Sequence, residues 1–270
     1  MNGITSSSAW RVVCKLLPTA VAVAGLLFLL GPIAVVIAQS VNGGQELTFP
    51  PRHFTLELYQ QFLSDRAWWT PALQSLWVAF LTAILSLVVT LPAGYALSRT
   101  TFPGSKIIQL MMIAPMLIPV ISLGLGIYIF FSRMHLDNST VGLVLTHSTL
   151  VMPFMFISIS AGMRQTNPAL ESVALLMGAS RLRTFFQVVV PQLKPSICVG
   201  LLFAFLMSFD EVVIAYFITG PETTTLPVKM YSAIRWELSP VLTAISTILT
   251  LTSLGICIGI LALREANPKV

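Results

Sequence analysis

Two adjacent carboxylates, Asp210 and Glu211, interrupt the apolar stretch 195–219. They stand about 15 residues into it, roughly 20 Å along a helix that rises 1.5 Å per residue. A carboxylate at bilayer depth costs about 2.5–3.5 kcal/mol on insertion scales, so it usually faces a bundle interior or a water-filled path. Such an acid could attract a cation whose ammonium groups need carboxylates and aromatic faces. Trp69, Trp77, Tyr216, Tyr231 and Trp236 are the available faces, and Trp77 and Tyr216 join Asp210 and Glu211 as the candidate path residues. Neighbouring helical residues point about 100° apart, so at most one of the two acids can face a narrow path squarely. Two structural readings stay open beside this one: an acidic pair snorkelling to the outer surface, or a carboxylate capping a broken helix.

Other reactive groups are sparse. His147 could relay a proton or hydrogen-bond a neighbouring helix, the second being the expected use. Cys14, Cys198 and Cys257 are too few and too scattered for a disulfide framework or a metal site. The chain carries no Gly-x-x-x-x-Gly-Lys-[Ser/Thr] loop, no Gly-x-Ser-x-Gly and no His-Glu-x-x-His. ATP hydrolysis or intramembrane hydrolysis by this chain is therefore not expected, and it is read as a non-enzyme.

These groups must be positioned by membrane helices. Of the 270 residues 56% are hydrophobic and 9% are charged, where a soluble domain carries roughly 25% charged residues. The gaps between charges delimit six spans, about 16–38, 73–97, 107–131, 141–162, 195–219 and 240–263. The first has an apolar core longer than the roughly 7–15 residues of a signal peptide, so it is taken as retained. Pro115 and Pro119 are expected to kink the third.

Six spans put both termini, 1–15 and 264–270, on one side. That side holds ten Lys and Arg, against five on the other. The bias places the termini in the cytoplasm. The net charge of +5 is thereby explained by orientation, and no basic run with interleaved aromatics suggests a nucleic-acid face. On the outer side, Thr55 is a plausible N-cap for a short surface helix over 55–63, and Trp68 and Trp69 are expected at the lipid interface.

The longest cytoplasmic segment, 164–194, reads as two short amphipathic helices. Asn167 then Pro168 is an N-cap followed by a first-turn proline, with Glu171 near the positive helix end. Leu170, Val173, Ala174 and Met177 share one face. Gly178 stops the helix and Ser180 can cap a second, whose face repeats at Leu182, Phe185, Phe186 and Val189. Pro191 and Pro195 are expected to end it before the fifth span. Such a hairpin could cover the bundle at the membrane surface, or present an apolar face to a cytoplasmic partner's groove.

This loop resembles that of permease subunits of bacterial ABC importers, whose signature is Glu-Ala-Ala, three residues, Gly, nine residues, Ile-x-Leu-Pro. With Gly178 as the glycine, nine residues precede Val188-Val189-Val190-Pro191, and the Glu-Ala-Ala positions fall on Ser172-Val173-Ala174 with the acid displaced to Glu171. Toward the C-terminus, Phe209–Ala215, Phe217–Pro221, Thr225–Tyr231 and Ser239–Val241 resemble the second permease of spermidine/putrescine-type importers, within a polyamine, opine and phosphonate group.

The resemblance implies an all-α fold: the six-helix transmembrane domain of a type I importer in the bacterial cytoplasmic membrane. It implies that 164–194 couples to an ATPase through Leu170, Glu171, Ala174, Gly178, Ala179 and Pro191. It also implies partners: two ATPase subunits that carry the ATP and magnesium, a second and different permease, and an external substrate-binding protein, with no cofactor on this chain. The competing class is a stand-alone secondary transporter or cation channel built on Asp210 and Glu211. It would carry an inverted repeat, and none is visible in the sequence.

Overall fold

A computed structural model describes residues 5–43, 49–51, 53–236 and 239–266, with side chains from 16 to 255 and at 258. The expected cytoplasmic ends, 1–15 and 264–270, lie partly outside these. Among the described residues every regular element is helical.

The helices are α1 Thr5–Ser40, α2 Glu57–Ser64, α3 Arg66–Arg99, α4 Ser105–Ile113, α5 Val120–Arg133, α6 Thr140–Gln165, α7 Pro168–Leu176, α8 Arg181–Thr184, α9 Val190–Phe209, α10 Val213–Ile218, α11 Leu226–Trp236 and α12 Val241–Ala266. Three stretches, Leu16–Ser40, α3 and α6, are each long and apolar enough to cross a membrane unbroken. The expected third span is divided: α4 passes through a 3₁₀ turn, Ala114–Leu117, and the chain turns by 107° before α5. Pro115 and Pro119 bracket this turn, and each removes a backbone N–H that the helix would need. Counting each bent pair as one span gives up to five. The sixth expected span falls on α12, whose described apolar stretch is Val241–Gly255.

The chain divides into two compact units, residues 1–66 with 233–270, and residues 67–232. In the first, Leu58 and Phe62 of α2 are buried one turn apart, and the Ser40 and Tyr59 hydroxyls are 2.7 Å apart. Thr55 does not cap α2. Its N–H donates to the Val41 carbonyl at 2.8 Å beside an antiparallel bridge between Asn42 and Phe54. That pairing holds the backbone extended, and Leu56 becomes the cap position.

The second unit holds two apolar cores at the two ends of α6. One gathers Val78, Leu143, Val144, Ile214, Ile218 and Val228. The other gathers Ala83, Val151, Met155, Ile159, Met163, Val189 and Leu193. Close contact of α6 with α9 depends on Gly162 and Gly200, where an added Cβ would meet Ser196 and Met155 respectively. Small residues serve this purpose in lipid, where the approach of backbones supplies the van der Waals gain. Trp68 is buried in this unit, with the Lys229 ammonium 5.5 Å from its ring centre, so of the expected interfacial pair only Trp69 is exposed.

Candidate functional site

The loop after α6 is built from local signals. The Asn167 side chain accepts from the Ala169 N–H at 3.0 Å, and Pro168 opens α7. The helix ends in a complete Schellman motif: the Gly178 N–H donates to Leu175 and the Ala179 N–H to Ala174, each at 3.0 Å. Gly178 has φ +88°, and nothing lies within 4 Å of where a Cβ would be. Its requirement is therefore conformational rather than steric. Ser180 accepts from the Arg183 N–H at 3.3 Å and starts α8.

The second helix does not stop at Pro191. A π-turn, Phe185–Val189, carries it into α9, and the Val190 N–H reaches back to the Phe185 carbonyl. The helix direction changes by 74° between Arg181–Gln192 and Lys194–Phe209. The wider turn places a proline, which has no N–H to give, just after the π-bonded residues. It also breaks the expected common face: Val189 is fully buried while Leu182 and Phe186 stay exposed. An apolar cavity of about 540 Å³ lies between that exposed pair and Leu91 and Pro92 of α3.

Of the residues expected to couple, Leu170 is half exposed, and the tip of α7 bares Leu176 and Met177 at 88% and 84% exposure. Ala174 and Ala179 are half-buried on either side of the turn. Glu171 points the other way. It is 7% exposed, its Oε1 accepts from Arg99 Nε at 2.8 Å and Nη2 at 2.6 Å, and its Oε2 accepts from the Tyr95 hydroxyl at 3.2 Å. Arg99 also donates to the Thr166 hydroxyl. Glu171 thus ties α7 to the end of α3, and Arg99 extends the tie to the end of α6. The sequence signal for these partners is the charge count itself: Glu171 is the one acid among the basic residues of the loop 164–194.

The fifth expected span is broken at 210–212. Asp210 is the C-cap of α9, its N–H bonded to the Leu206 carbonyl at 3.1 Å, and α10 starts at Val213. Glu211 Oε1 accepts from the Ile214 N–H at 2.9 Å, satisfying one of the free donors of α10. The acid pair is therefore split by role. Glu211 is half-buried and capping, whereas Asp210 is exposed and its carboxylate has no hydrogen bond or ion pair among the described residues. Its carboxylate sits where the macrodipole of α9 is itself negative, a position that repels an anion and attracts a cation.

One turn beyond the break, Tyr216 meets Tyr231 of α11 edge to face at 5.7 Å, and both rings are more than 40% exposed. Trp77 lies elsewhere, stacked on Phe80 of its own helix at 6.2 Å. Just before the break, His147 Nδ1 and Ser208 Oγ are 2.8 Å apart, which joins α6 to the last turn of α9. This is the helix–helix hydrogen bond expected of His147.

Residues 90–266 match the family described as the binding-protein-dependent transport system inner membrane component. The chain belongs to this family. The permease is 30% identical to the putrescine transport system permease protein PotI of Escherichia coli K12 over 262 residues, 94% of this chain and 90% of that one. It is 25% identical to the spermidine/putrescine transport system permease protein PotC of the same organism, over 84% of this chain and 86% of the relative. Among solved structures it is similar to a bacterial ABC transporter involved in the import of the acidic polysaccharide alginate, with TM-score 0.70 and 17% identity over 96% of this chain and 97% of that one. The permease is thus an inner-membrane subunit of an ABC importer with a type I permease fold. A fold shared with an importer of a polyanion leaves the substrate to be argued from the site.

Proposed function

We propose that this permease forms half of the path for a polyamine in a binding-protein-dependent, ATP-driven importer. Asp210 carries the reading. It is an exposed carboxylate at the negative end of a broken helix, with no partner of its own among the described residues. Half-helix ends inside membrane proteins are where cations are held, and the Tyr216–Tyr231 pair supplies aromatic faces one turn away. The relatives named for putrescine and spermidine transport favour the same class of cargo. In this reading Glu211 and Trp77 serve the path indirectly, the first by capping α10 and the second from α3.

Energy enters through 164–194. The tip around Leu170, Leu176, Met177 and Gly178 docks into a groove of an ATPase subunit, and Ala174, Ala179 and Pro191 shape the turn behind it. Two such ATPases hold ATP and magnesium; this chain carries no cofactor and performs no hydrolysis. A second, different permease completes the path, and an external binding protein delivers the cargo. Six spans with both termini in the cytoplasm fit the charge bias.

The test is uptake of labelled putrescine by the assembled importer in proteoliposomes. Asp210→Asn is expected to lower uptake kcat/KM about tenfold, the loss of one charge-assisted contact of roughly 1.4 kcal/mol, while assembly stays intact. Unchanged uptake would remove Asp210 from the path. For coupling, Gly178→Val must hold a β-branched residue at φ +88°, at a cost of about 1–2 kcal/mol. It is expected to uncouple ATPase from uptake, whereas Gly178→Asn, which tolerates that conformation, keeps them coupled. Normal coupling in Gly178→Val would return the loop to a surface cover.

A further inference from the structure

A second polar feature lies away from the path residues. At the end of α6, roughly 20 Å along that helix from His147, a cavity of about 270 Å³ opens among α3, α4 and α6. Its walls carry Ser98 and Arg99 of α3, Gln109 of α4, and Ser160 and Arg164 of α6, and no acid lines it. Arg99 commits Nε and Nη2 to Glu171 and Thr166, which leaves Nη1 without a hydrogen bond among the described residues. Arg164 is exposed and makes no ion pair among them. Lys106 is exposed one turn before Gln109 on α4, hence on the same side of that helix.

The charges do not cancel. Glu171 balances Arg99, but Arg164 and Lys106 add two positive charges with no local counterpart. The negative end of the α6 dipole accounts for a basic residue in its last turn. It does not account for the Gln109 amide, the Ser160 hydroxyl and a second guanidinium gathered around the same space, the Ser98 hydroxyl being donated to the Tyr95 carbonyl at 2.9 Å. The whole Arg164 guanidinium, the remaining Arg99 Nη1 and neutral donors in a basic pocket between membrane helices match a phosphodiester anion. The neighbouring surface of α4 is apolar and exposed at Ile107, Leu110 and Met111. A headgroup in the cavity could therefore keep its acyl chains on that helix. A free phosphate would make no use of those three side chains.

We propose that this cavity holds the phosphate of an anionic phospholipid, with its chains lying along α4. The site is independent of the transported substrate. Because Arg99 also holds Glu171, an occupied cavity braces the α3 end on which the loop 167–180 is mounted.

The experiment is native mass spectrometry on the full-length permease, alone and in its assembled importer, after delipidation and titration with phosphatidylglycerol or phosphatidylcholine. Phosphatidylglycerol is expected to bind in preference. Arg164→Gln and Lys106→Gln are each expected to weaken it about five-fold, the effect of one cationic side chain near the membrane surface. Arg183→Gln, basic and outside the cavity, is expected to leave binding unchanged, and Arg164→Lys to stay within about two-fold of wild type. Thermal unfolding in detergent checks that each variant is folded. Lys106 stands on an exposed helix surface, so its variant decides the matter if Arg164→Gln is unstable.

Equal binding of phosphatidylcholine would overturn the proposal, as would an equal loss in Arg183→Gln. Displacement of the lipid by millimolar inorganic phosphate would make the ligand a soluble phosphate and overturn the lipid as its source. Loss of the lipid on assembly would show that the cavity is closed or filled in the importer, and would overturn the proposal too.

Discussion

Glu171 and Asp210 are each an acid at a helix end in a chain that is 9% charged, and the fold treats them in opposite ways. Glu171 stands in the first turn of α7, where the helix dipole welcomes it, and it is closed over by Arg99 and Tyr95. Asp210 stands at the end of α9, where the dipole opposes it, and it is left exposed with no bonded partner among the described residues. A carboxylate whose needs the chain itself meets is part of the frame. A carboxylate held against its helix dipole with its needs unmet is available to something that arrives. The same contrast recurs one residue on, since Glu211 is used by the Ile214 N–H and Asp210 is not.

This contrast can be broken most forcefully at Glu171. Glu171→Ala leaves the half-buried Arg99 guanidinium without its counter-ion and is expected to cost about 2 kcal/mol, read as a lower unfolding temperature of the purified permease. Replacing the pair together, Arg99→Met with Glu171→Leu, should recover most of that stability, because an apolar pair needs no compensation. If Glu171→Ala unfolds at the wild-type temperature, the acid is not a fastener, and a direct role against the ATPase regains its place. The resemblance to importer permeases places Glu171 with the coupling residues, so this experiment separates fastening of the loop from contact with the ATPase.

At the break the expected effects are smaller and of two kinds. Asp210→Asn should move uptake about tenfold and leave stability alone, as argued above from a single charge-assisted contact. Glu211→Gln should do the reverse. The amide still accepts from the Ile214 N–H, but the charge at the positive end of α10 is lost, which should lower stability by about 0.5 kcal/mol, while uptake kcat/KM stays within about two-fold. A Glu211→Gln protein with lost uptake and wild-type stability would place both acids on the path.

The difference between these two regions also explains what the sequence disclosed. Asn167-Pro168, Gly178 and Ser180 act on backbone groups within a few residues of themselves, so a cap, a stop and a second cap were legible in order. Pro115 and Pro119 announced a kink for the same reason, though the size of the turn, 107°, depends on how α4 and α5 each pack on the rest of the unit. The ion pair from Glu171 to Arg99 spans 72 positions and has no local trace. The π-turn at Phe185–Val189 was hidden because its residues still look helical; only the register of the burial shifts, leaving Phe186 out and Val189 in. The break at 210–212 contains neither glycine nor proline. At it, an acid that suits the start of α10 directly follows one that opposes the end of α9.

His147 gives the finest test of the comparison, because it sits between the two apolar cores of its unit and beside the break. Its ring shares one hydrogen bond with Ser208, and its Nε2 is buried without a partner among the described residues. If the bond only fastens α6 to α9, then Ser208→Ala should cost about 0.6 kcal/mol, the usual worth of one polar contact between membrane helices, and leave uptake as it was. If it instead fixes where α9 ends, and so where the Asp210 carboxylate stands, then Ser208→Ala should raise the KM for uptake with little change in unfolding temperature. A double-mutant cycle of Ser208→Ala with Asp210→Asn separates the two. Additive losses make the bond a fastener like the one at Glu171. A coupling energy above about 0.5 kcal/mol ties it to the exposed acid.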